Sequence, residues 1–378
     1  MRTLDDLRRF AVSHSLFAPT TLERALETLA FVQADPIRAP ARAQDLTLRP
    51  RVEGYRAGDL ERLYSTLPVE EDVFVNYGFV TRSLQALMHP RTGWSRWPTA
   101  RSRRAKAVLA FVLDRTAVHP REVEAHFSHG TVTNYWGGSS HATTHLLDLL
   151  HYQGKLRVAR RERGIRVYEI REHGPGPASV MERRARIDAL VDAAVRMYAP
   201  LPAASLSSVV GRLRYAAPQW RNELRAALAR AKLRLAHARI DGIEWYWTAE
   251  SNLPDGAPPT AVCFLAPFDP VVWDRRRFEM LWGWPYRFEA YTPKSKRKLG
   301  YYALPLLWRD CVVGWSNVSF VRGVMHAELG YVSSRPRDRA FASALDAEIE
   351  RMRTFLTSSP TLATDDTDTM PVSGRPET

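Results

Sequence analysis

Between residues 31 and 48 the chain reads FVQADPIRAPARAQDLTL, which sets an amide, Gln33, two residues before a carboxylate, Asp35, and follows them with Arg38 and Arg42. A carboxylate can accept a proton from an attacking water, and a neutral amide beside it can orient that water by donating and accepting hydrogen bonds. Two arginines immediately downstream suit a polyanion. The plainer reading is a turn. Asp35-Pro36 stops a helix because proline pushes the residue before it out of the α region, and polar residues at helix ends commonly cap or solvate. Residue types alone leave both readings open, and both place Gln33 and Asp35 at the end of an apolar helix.

Other chemistries find less support. His141 and His145 in HATTH stand one helical turn apart, as in a zincin helix, but Ala142 occupies the position of the general base and no third ligand is evident. Packing or phosphate contact is the better account of that pair, and no metal or cofactor is expected. Neither a glycine-rich phosphate loop nor a G-x-S-x-G occurs, and Cys263 and Cys311 are too few and too far apart for a disulfide framework. What remains for enzymology is a carboxylate and water.

Charge indicates the partner. The 378 residues carry a net charge of +13, although Asp365, Asp366, Asp368 and Glu377 make the last segment acidic. A basic body suits a polyanion, although an arginine-rich genome would give the same excess. Basic runs recur at RTGWSRWPTARSRRAK (91–106), around Arg161 and Arg163, at Arg275 and Arg276, and at Lys294, Lys296, Arg297 and Lys298. One such run is ordinarily a solvated face, whereas several on loops and wings resemble phosphate contacts along a groove. The charged N-terminus lacks a signal-peptide core and no apolar run reaches the roughly 20 residues of a membrane helix, so a cytoplasmic, nucleoid-associated protein without a membrane partner is expected.

The elements that would position these residues repeat along the chain. LDDLRRFAVSHSLF and TTLERALETLAFVQ have helical apolar spacing, the second with a capping-box signature at Thr20 and Glu23, and a hairpin follows in VFVNYGFV. Downstream, Ser140 is expected to cap a helix through HATTHLLDLLHYQ that Gly154 ends, followed by two strands around a basic turn at Arg161–Gly164. The N-terminal residues of that helix, Ser139, Ser140, His141 and Thr143, are those that a helix-turn-helix would present to DNA. A third unit starts near Ile187 and ends in a hairpin whose turn is Asp241-Gly242. From Val262 to Val332 short strands suggest a small β-barrel, closed off by a helix over 338–356. The expected architecture is α+β: three tandem winged helices (1–100, 101–178, 179–255), a barrel with its closing helix (256–356) and a disordered tail (357–378).

Leu265 to Leu307, LAPFDPVVWDRRRFEMLWGWPYRFEAYTPKSKRKLGYYALPLL, closely resembles the C-terminal signature of the AlkZ/YcaQ-type DNA glycosylases. The family pattern PFDP-x-x-W-D-R, E-x-Y-x-P and K-R-x-x-G-Y-Y-x-L-P falls on Pro267–Pro270, Trp273–Arg275, Glu289–Pro293 and Lys296–Pro305. The resemblance extends to F-V-Q-A-D-P and covers about residues 4–350. It implies three winged helices and a barrel around double-stranded DNA, excision of alkylated and in some members crosslinked purines, and a catalytic Q-x-D pair on Gln33 and Asp35. Three positions depart from the pattern. Ala34 is smaller than the bulky residue expected between the pair, and Trp315 and Asn317 stand where the family carries Arg and Asp. The main alternative is a non-catalytic winged-helix regulator or architectural protein. Such a regulator would be a dimer on a two-fold operator, whereas three units in one chain suit a monomer. An RNA- or ribonucleoprotein-binding protein is a third reading of the basic C-terminal part.

Overall fold

The computed structural model describes residues 2–92, 99–127, 130–133, 139–249 and 260–357. Residues 358–378 of the expected tail and residues 93–98 of the first basic run lie outside them, while Thr357 ends the last helix. Helices and antiparallel sheets alternate along the chain, a mixed α and β fold.

The first helix, Leu4–Ser15, is opened by a reciprocal capping box between Thr3 and Asp6. The second, Leu22–Leu29, is capped by Thr21, one residue later than its sequence signature suggests. Thr20 is unavailable because its backbone amide and carbonyl bond to Arg51 and Glu53. Ala30 adopts a left-handed conformation (φ 58°) and ends this helix before the chemistry-bearing residues. Phe31–Gln33 is therefore a strand and not a helix end. It forms the edge of a three-stranded sheet whose centre is Tyr77–Thr81 and whose other edge is Val69–Val73.

Downstream, the hairpin Leu156–Glu162/Ile165–Ile170 turns at Arg163-Gly164, both at positive φ, and pairs with the short strand Ala117–Val118. Its helix, Ala142–Tyr152, starts at His141 without a side-chain cap. Ser140 does not cap because Ser139–His141 is itself a strand, paired with Thr131–Thr133. Three helices then lead to the hairpin Ala236–Ile240/Ile243–Trp247, whose Asp241-Gly242 turn has both residues at positive φ, as expected for this dipeptide.

The C-terminal strands do not close. Val262–Phe264, Leu304–Trp308, Cys311–Val321 and Val324–Tyr331 form an open four-stranded antiparallel sheet in that order, and no closed barrel exists among the described residues. Residues 265–303 run as loops around the helix Arg275–Trp282 and supply no barrel strands. The exposed edge of Val262–Phe264 is instead covered by the last helix, Arg339–Thr357. Its Glu348 accepts the Phe264 amide at 2.7 Å, and its Arg351 donates to the Val262 carbonyl at 3.0 Å. Side chains thereby supply the partners that barrel closure would have given this edge.

One apolar cluster runs from Ala25 through Leu147 and Phe264 to Leu356, and a second joins Leu7 and Phe10 to Val191 and Trp245, so that segments distant in sequence share cores. A polar hub ties them further. Asp72, on the strand Val69–Val73, accepts from Gln85 (2.9 Å), His89 (2.8 Å) and Arg91 (2.7 Å). Arg91 also donates to the carbonyls of Val73, Tyr152 and Ala216, each at 2.7 Å. Burial pushes the Asp72 carboxyl up, but the Arg91 guanidinium and the His89 bond more than offset it and hold it well below the usual range. Asp72→Ala leaves a buried arginine without its counter-ion and is expected to cost about 3–5 kcal/mol, the usual penalty for breaking a buried pair from one side. Urea unfolding of the two proteins measures it; a loss below about 1 kcal/mol would show that the hub does not hold these segments together.

Candidate active site

Gln33 ends the edge strand opposite Gly78, where a side chain would collide with the Val32 carbonyl. The strands can approach closely because Gly78 has no Cβ. The Gln33 side chain is buried, and its Oε1 accepts a 2.9 Å bond from the Trp273 indole N–H. Trp273 is itself fixed, stacked on Tyr198 at 4.6 Å with the Arg212 guanidinium 5.2 Å from its ring centre. Two hundred and forty residues separate donor and acceptor. The indole decides which end of the amide faces it.

Asp35 lies just past the strand, after Ala34, whose amide continues the pairing by donating to the Tyr77 carbonyl at 3.0 Å. The small Ala34 side chain packs against the main core. The carboxylate folds back to accept the Ile37 amide at 2.8 Å, an Asx-type turn around Pro36, and the Asp35 amide points to Gln44 Oε1 at 3.4 Å. The carboxyl is half-buried. Burial raises its pKa above the ordinary value, and the single Ile37 amide offsets this only in part.

Beside this loop opens a groove of about 1310 Å³, lined by Arg38, Lys294, Arg297, Tyr301, Tyr302 and Asn317 among others. The loop carrying Lys294, Lys296 and Lys298 is held from within. Buried Glu289 accepts the amides of Lys298 (2.8 Å) and Leu299 (2.7 Å), while Asn317 donates to the Leu299 carbonyl at 2.7 Å. Gly300 follows at φ +115°, pressed against Asn317. Asn317 is thus a brace for the basic loop, and Trp315 stacks on Trp284 at 5.7 Å.

The remaining candidates scatter. Arg38, Arg163 and Arg276 are exposed, as are Lys294, Lys296 and Lys298, while Arg297 is half-buried, donating to the Thr292 carbonyl at 2.7 Å and lying over Tyr301. Arg42 is ion-paired with Glu61, and burial with the nearby charges of Arg38 and Arg161 brings its pKa down to about 10. Arg161 grips buried Glu71 through two bonds of 2.7 and 2.6 Å. Arg275 is half-buried over Tyr286 and donates to the Val272 carbonyl at 2.6 Å. Thr143 is fully buried, whereas His141 is exposed with Glu124 at 3.5 Å. Ser139 and Ser140 are placed by their backbone ladder with Thr133 and Val132. Among the described residues no cluster of His, Cys, Asp or Glu could hold a metal ion, so His141 and His145 do not come together with a third ligand.

Reading along the chain misses Trp273 as the partner of Gln33 and Tyr302 as a neighbour of Asp35. Both letters are visible in the C-terminal motif, but only the fold brings them to residues 33–35. It also brings an amine, Lys294, into the groove that Arg38 lines, although no lysine lies near Asp35 in sequence.

The site thus holds a half-buried carboxylate, Asp35, two residues along the chain from an amide, Gln33, that Trp273 fixes, with a groove nearby lined by Arg38, Lys294 and Arg297. The family model described as DNA glycosylase AlkZ-like matches residues 26–355, and the chain belongs to that family of DNA glycosylases, enzymes of DNA repair. Among solved structures, the chain is similar to the Streptomyces sahachiroi DNA glycosylase AlkZ, with a TM-score of 0.63 at 14% identity over 94% of this chain and 97% of the other. That likeness is one of fold. No helix among the described residues is long and apolar enough to cross a membrane.

The raised Asp35 pKa also bears on stability. A carboxyl with a higher pKa when folded binds its proton more tightly in the folded state, so its ionisation destabilises the protein above that pKa, and the effect vanishes as pH falls below the unfolded value near 4. Asp35→Asn is expected to raise the melting temperature at pH 7 and to lose this advantage towards pH 4. Thermal unfolding across that range checks the sign; a variant that melts lower at pH 7 would mean the ionised carboxylate is well accommodated.

Proposed function

We propose that the enzyme is a monofunctional, metal-free glycosylase that hydrolyses the N-glycosidic bond of cationic N7- or N3-alkylated purines in duplex DNA, with Asp35 as the catalytic carboxylate and Gln33 orienting the water. The observation that carries this reading is the half-buried Asp35 carboxylate two residues along the chain from the Trp273-fixed Gln33 amide. Ordinary glycosidases need a second carboxyl group to protonate the leaving oxygen. A purine alkylated at N7 or N3 already carries positive charge and departs as a neutral base, so one carboxylate suffices. It stabilises the oxocarbenium-like sugar and accepts the proton of the attacking water. Purines in an interstrand crosslink joined through N7 carry the same charge and fall within the same chemistry.

In this reading the helix-and-hairpin units over 1–100, 101–178 and 179–255 are three winged helices, and a monomer lays them with the sheet region along one duplex. Exposed Arg38, Arg163, Arg276, Lys294, Lys296 and Lys298, with Arg297, are the better phosphate contacts. Arg42 and Arg161 already hold Glu61 and Glu71, and a phosphate would have to compete with those carboxylates.

The test is incubation with a duplex containing 7-methylguanine. Wild type is expected to release the free base faster than spontaneous loss, leaving an unbroken strand with an alkali-labile abasic site. Asp35→Asn should bind the duplex but lose about 3–4 kcal/mol of transition-state stabilisation, the scale of a preorganised electrostatic contact, or some two to three orders of magnitude in rate. Near-wild-type release by Asp35→Asn would remove it from this role. Borohydride should trap no adduct; a trapped species that disappears in Lys294→Ala would instead make that amine the nucleophile.

The basic loop yields a separate expectation. Replacing Lys296, Arg297 and Lys298 by Ala should weaken binding to damaged and undamaged duplex alike and reduce the slope of log affinity against log salt by about 0.9 for each phosphate no longer neutralised. An unchanged slope in a salt titration would place this loop away from DNA.

A further inference from the structure

Polar side chains of the proposed site and of the C-terminal motif are committed to protein partners. Gln33 Oε1 is taken by Trp273, the Tyr286 hydroxyl donates to the Ala303 carbonyl at 2.7 Å, and Arg275 donates to the Val272 carbonyl at 2.6 Å. Tyr302 differs. Its side chain is 3% exposed, its ring is gripped edge-to-face by Phe288 at 5.1 Å, and its buried hydroxyl has no hydrogen-bond partner among the described residues. A buried hydroxyl left unpaired costs free energy, and where it lines a polar groove its natural partner is a water or a ligand atom. Tyr302 lines the same groove as Arg38. It is also near enough to Asp35 that, after burial itself, the carboxylate charge is the largest influence holding the phenol well above its ordinary pKa; Tyr286, Tyr291 and Arg275 are the other ionisable groups around it. The hydroxyl therefore remains a neutral donor at every working pH.

We propose that the Tyr302 hydroxyl is a positioning residue for the attacking water, which it shares with the Asp35 carboxylate. The inference rests on the glycosylase reading given above. Tyr302 donates to one lone pair of the water, and the other lone pair forms the bond to the sugar C1′. The glycosidic bond breaks with its electron pair passing to the purine ring nitrogen, which neutralises the cationic base. The water proton goes to Asp35, and Tyr302 keeps its own.

Tyr302→Phe keeps the ring and removes an atom that has no hydrogen-bond partner among the described residues. A merely structural Tyr302 would therefore leave excision unchanged. We expect single-turnover release of 7-methylguanine from duplex to fall about tenfold to a hundredfold, the range for a hydrogen bond in a charged network, with duplex affinity within about twofold and an unchanged melting temperature. The acid limb of the pH–rate profile should also move upward, because the hydroxyl, acting through the water, favours the ionised carboxylate and its removal makes Asp35 easier to protonate. Wild-type release with an equal rate and profile in Tyr302→Phe overturns this inference and leaves the glycosylase reading standing. A slower variant that melts lower, or whose profile does not move, overturns it as well, since the hydroxyl would then act through folding or elsewhere. No release by wild type overturns the reading beneath and the inference with it.

Discussion

The ion pair between Arg51 and Asp269 sets the frame in which the site is built. Neither side chain has any exposed surface, and the guanidinium meets the carboxylate through two bonds of 2.7 and 3.0 Å. Its other donors reach the Ser15 carbonyl at the end of the first helix and the Thr47 carbonyl of the helix Ala43–Leu48, while Asp269 also accepts the Val271 amide. A pair this deep is tolerable only when its remaining hydrogen-bonding capacity is met, and here backbone carbonyls and an amide meet it. Asp269 is the carboxylate of PFDP, and Trp273 stands four residues later in the same motif. The lock that holds the motif against the N-terminal helices therefore also delivers the indole to Gln33.

A second arginine extends that frame to the helix Val180–Tyr198. Arg277 is fully buried, has no paired carboxylate among the described residues, and donates to the carbonyls of Tyr198, Pro270 and Val271. It ties the end of the long helix Val180–Tyr198 to the motif, and that helix presents Tyr198, on which Trp273 stacks. Burial lowers its pKa, and the charges of Asp274 and Asp269 offset this only in part, which marks the arrangement as costly. The motif between Pro267 and Arg277 is thus bolted on two sides, and the residue it aims at Gln33 has little freedom to turn.

The local pieces of this fold were legible in the sequence. Asp241-Gly242, Arg163-Gly164 and Gly154 mark turns or helix ends through the backbone conformations they require, and the Q-x-D pair with its downstream arginines is visible as letters. What was illegible depends on partners far away in the chain. Phe31–Gln33 reads as a continuation of helical periodicity, but three residues cannot distinguish a short strand from a helix end until Tyr77–Thr81 offers a ladder. The expected barrel fails for the same reason. Alternating apolar residues announce strands but do not say whether the last meets the first, and here Glu348 and Arg351 of a helix take the edge instead. The Trp273–Gln33 bond joins residues that no local pattern connects.

The same distinction applies to charge. A net charge of +13 suggests a broadly basic face, yet many of its arginines work inside the protein: Arg49 with Glu348, Arg51 with Asp269, Arg91 with Asp72, Arg157 with Glu70, Arg161 with Glu71. The planar guanidinium, with its five donors, suits buried forked contacts. Lysine, a compact and strongly hydrated charge on a flexible stem, does not. The chain holds only six lysines, and three of them, Lys294, Lys296 and Lys298, stand within five residues, all exposed, on the loop that Glu289 and Asn317 brace beside Asp35. In so arginine-rich a chain, the placement of its scarce lysines says more about where positive charge meets solvent than the total charge does. It singles out the groove that Arg38 and Lys294 line, whereas Arg161 is already held by Glu71.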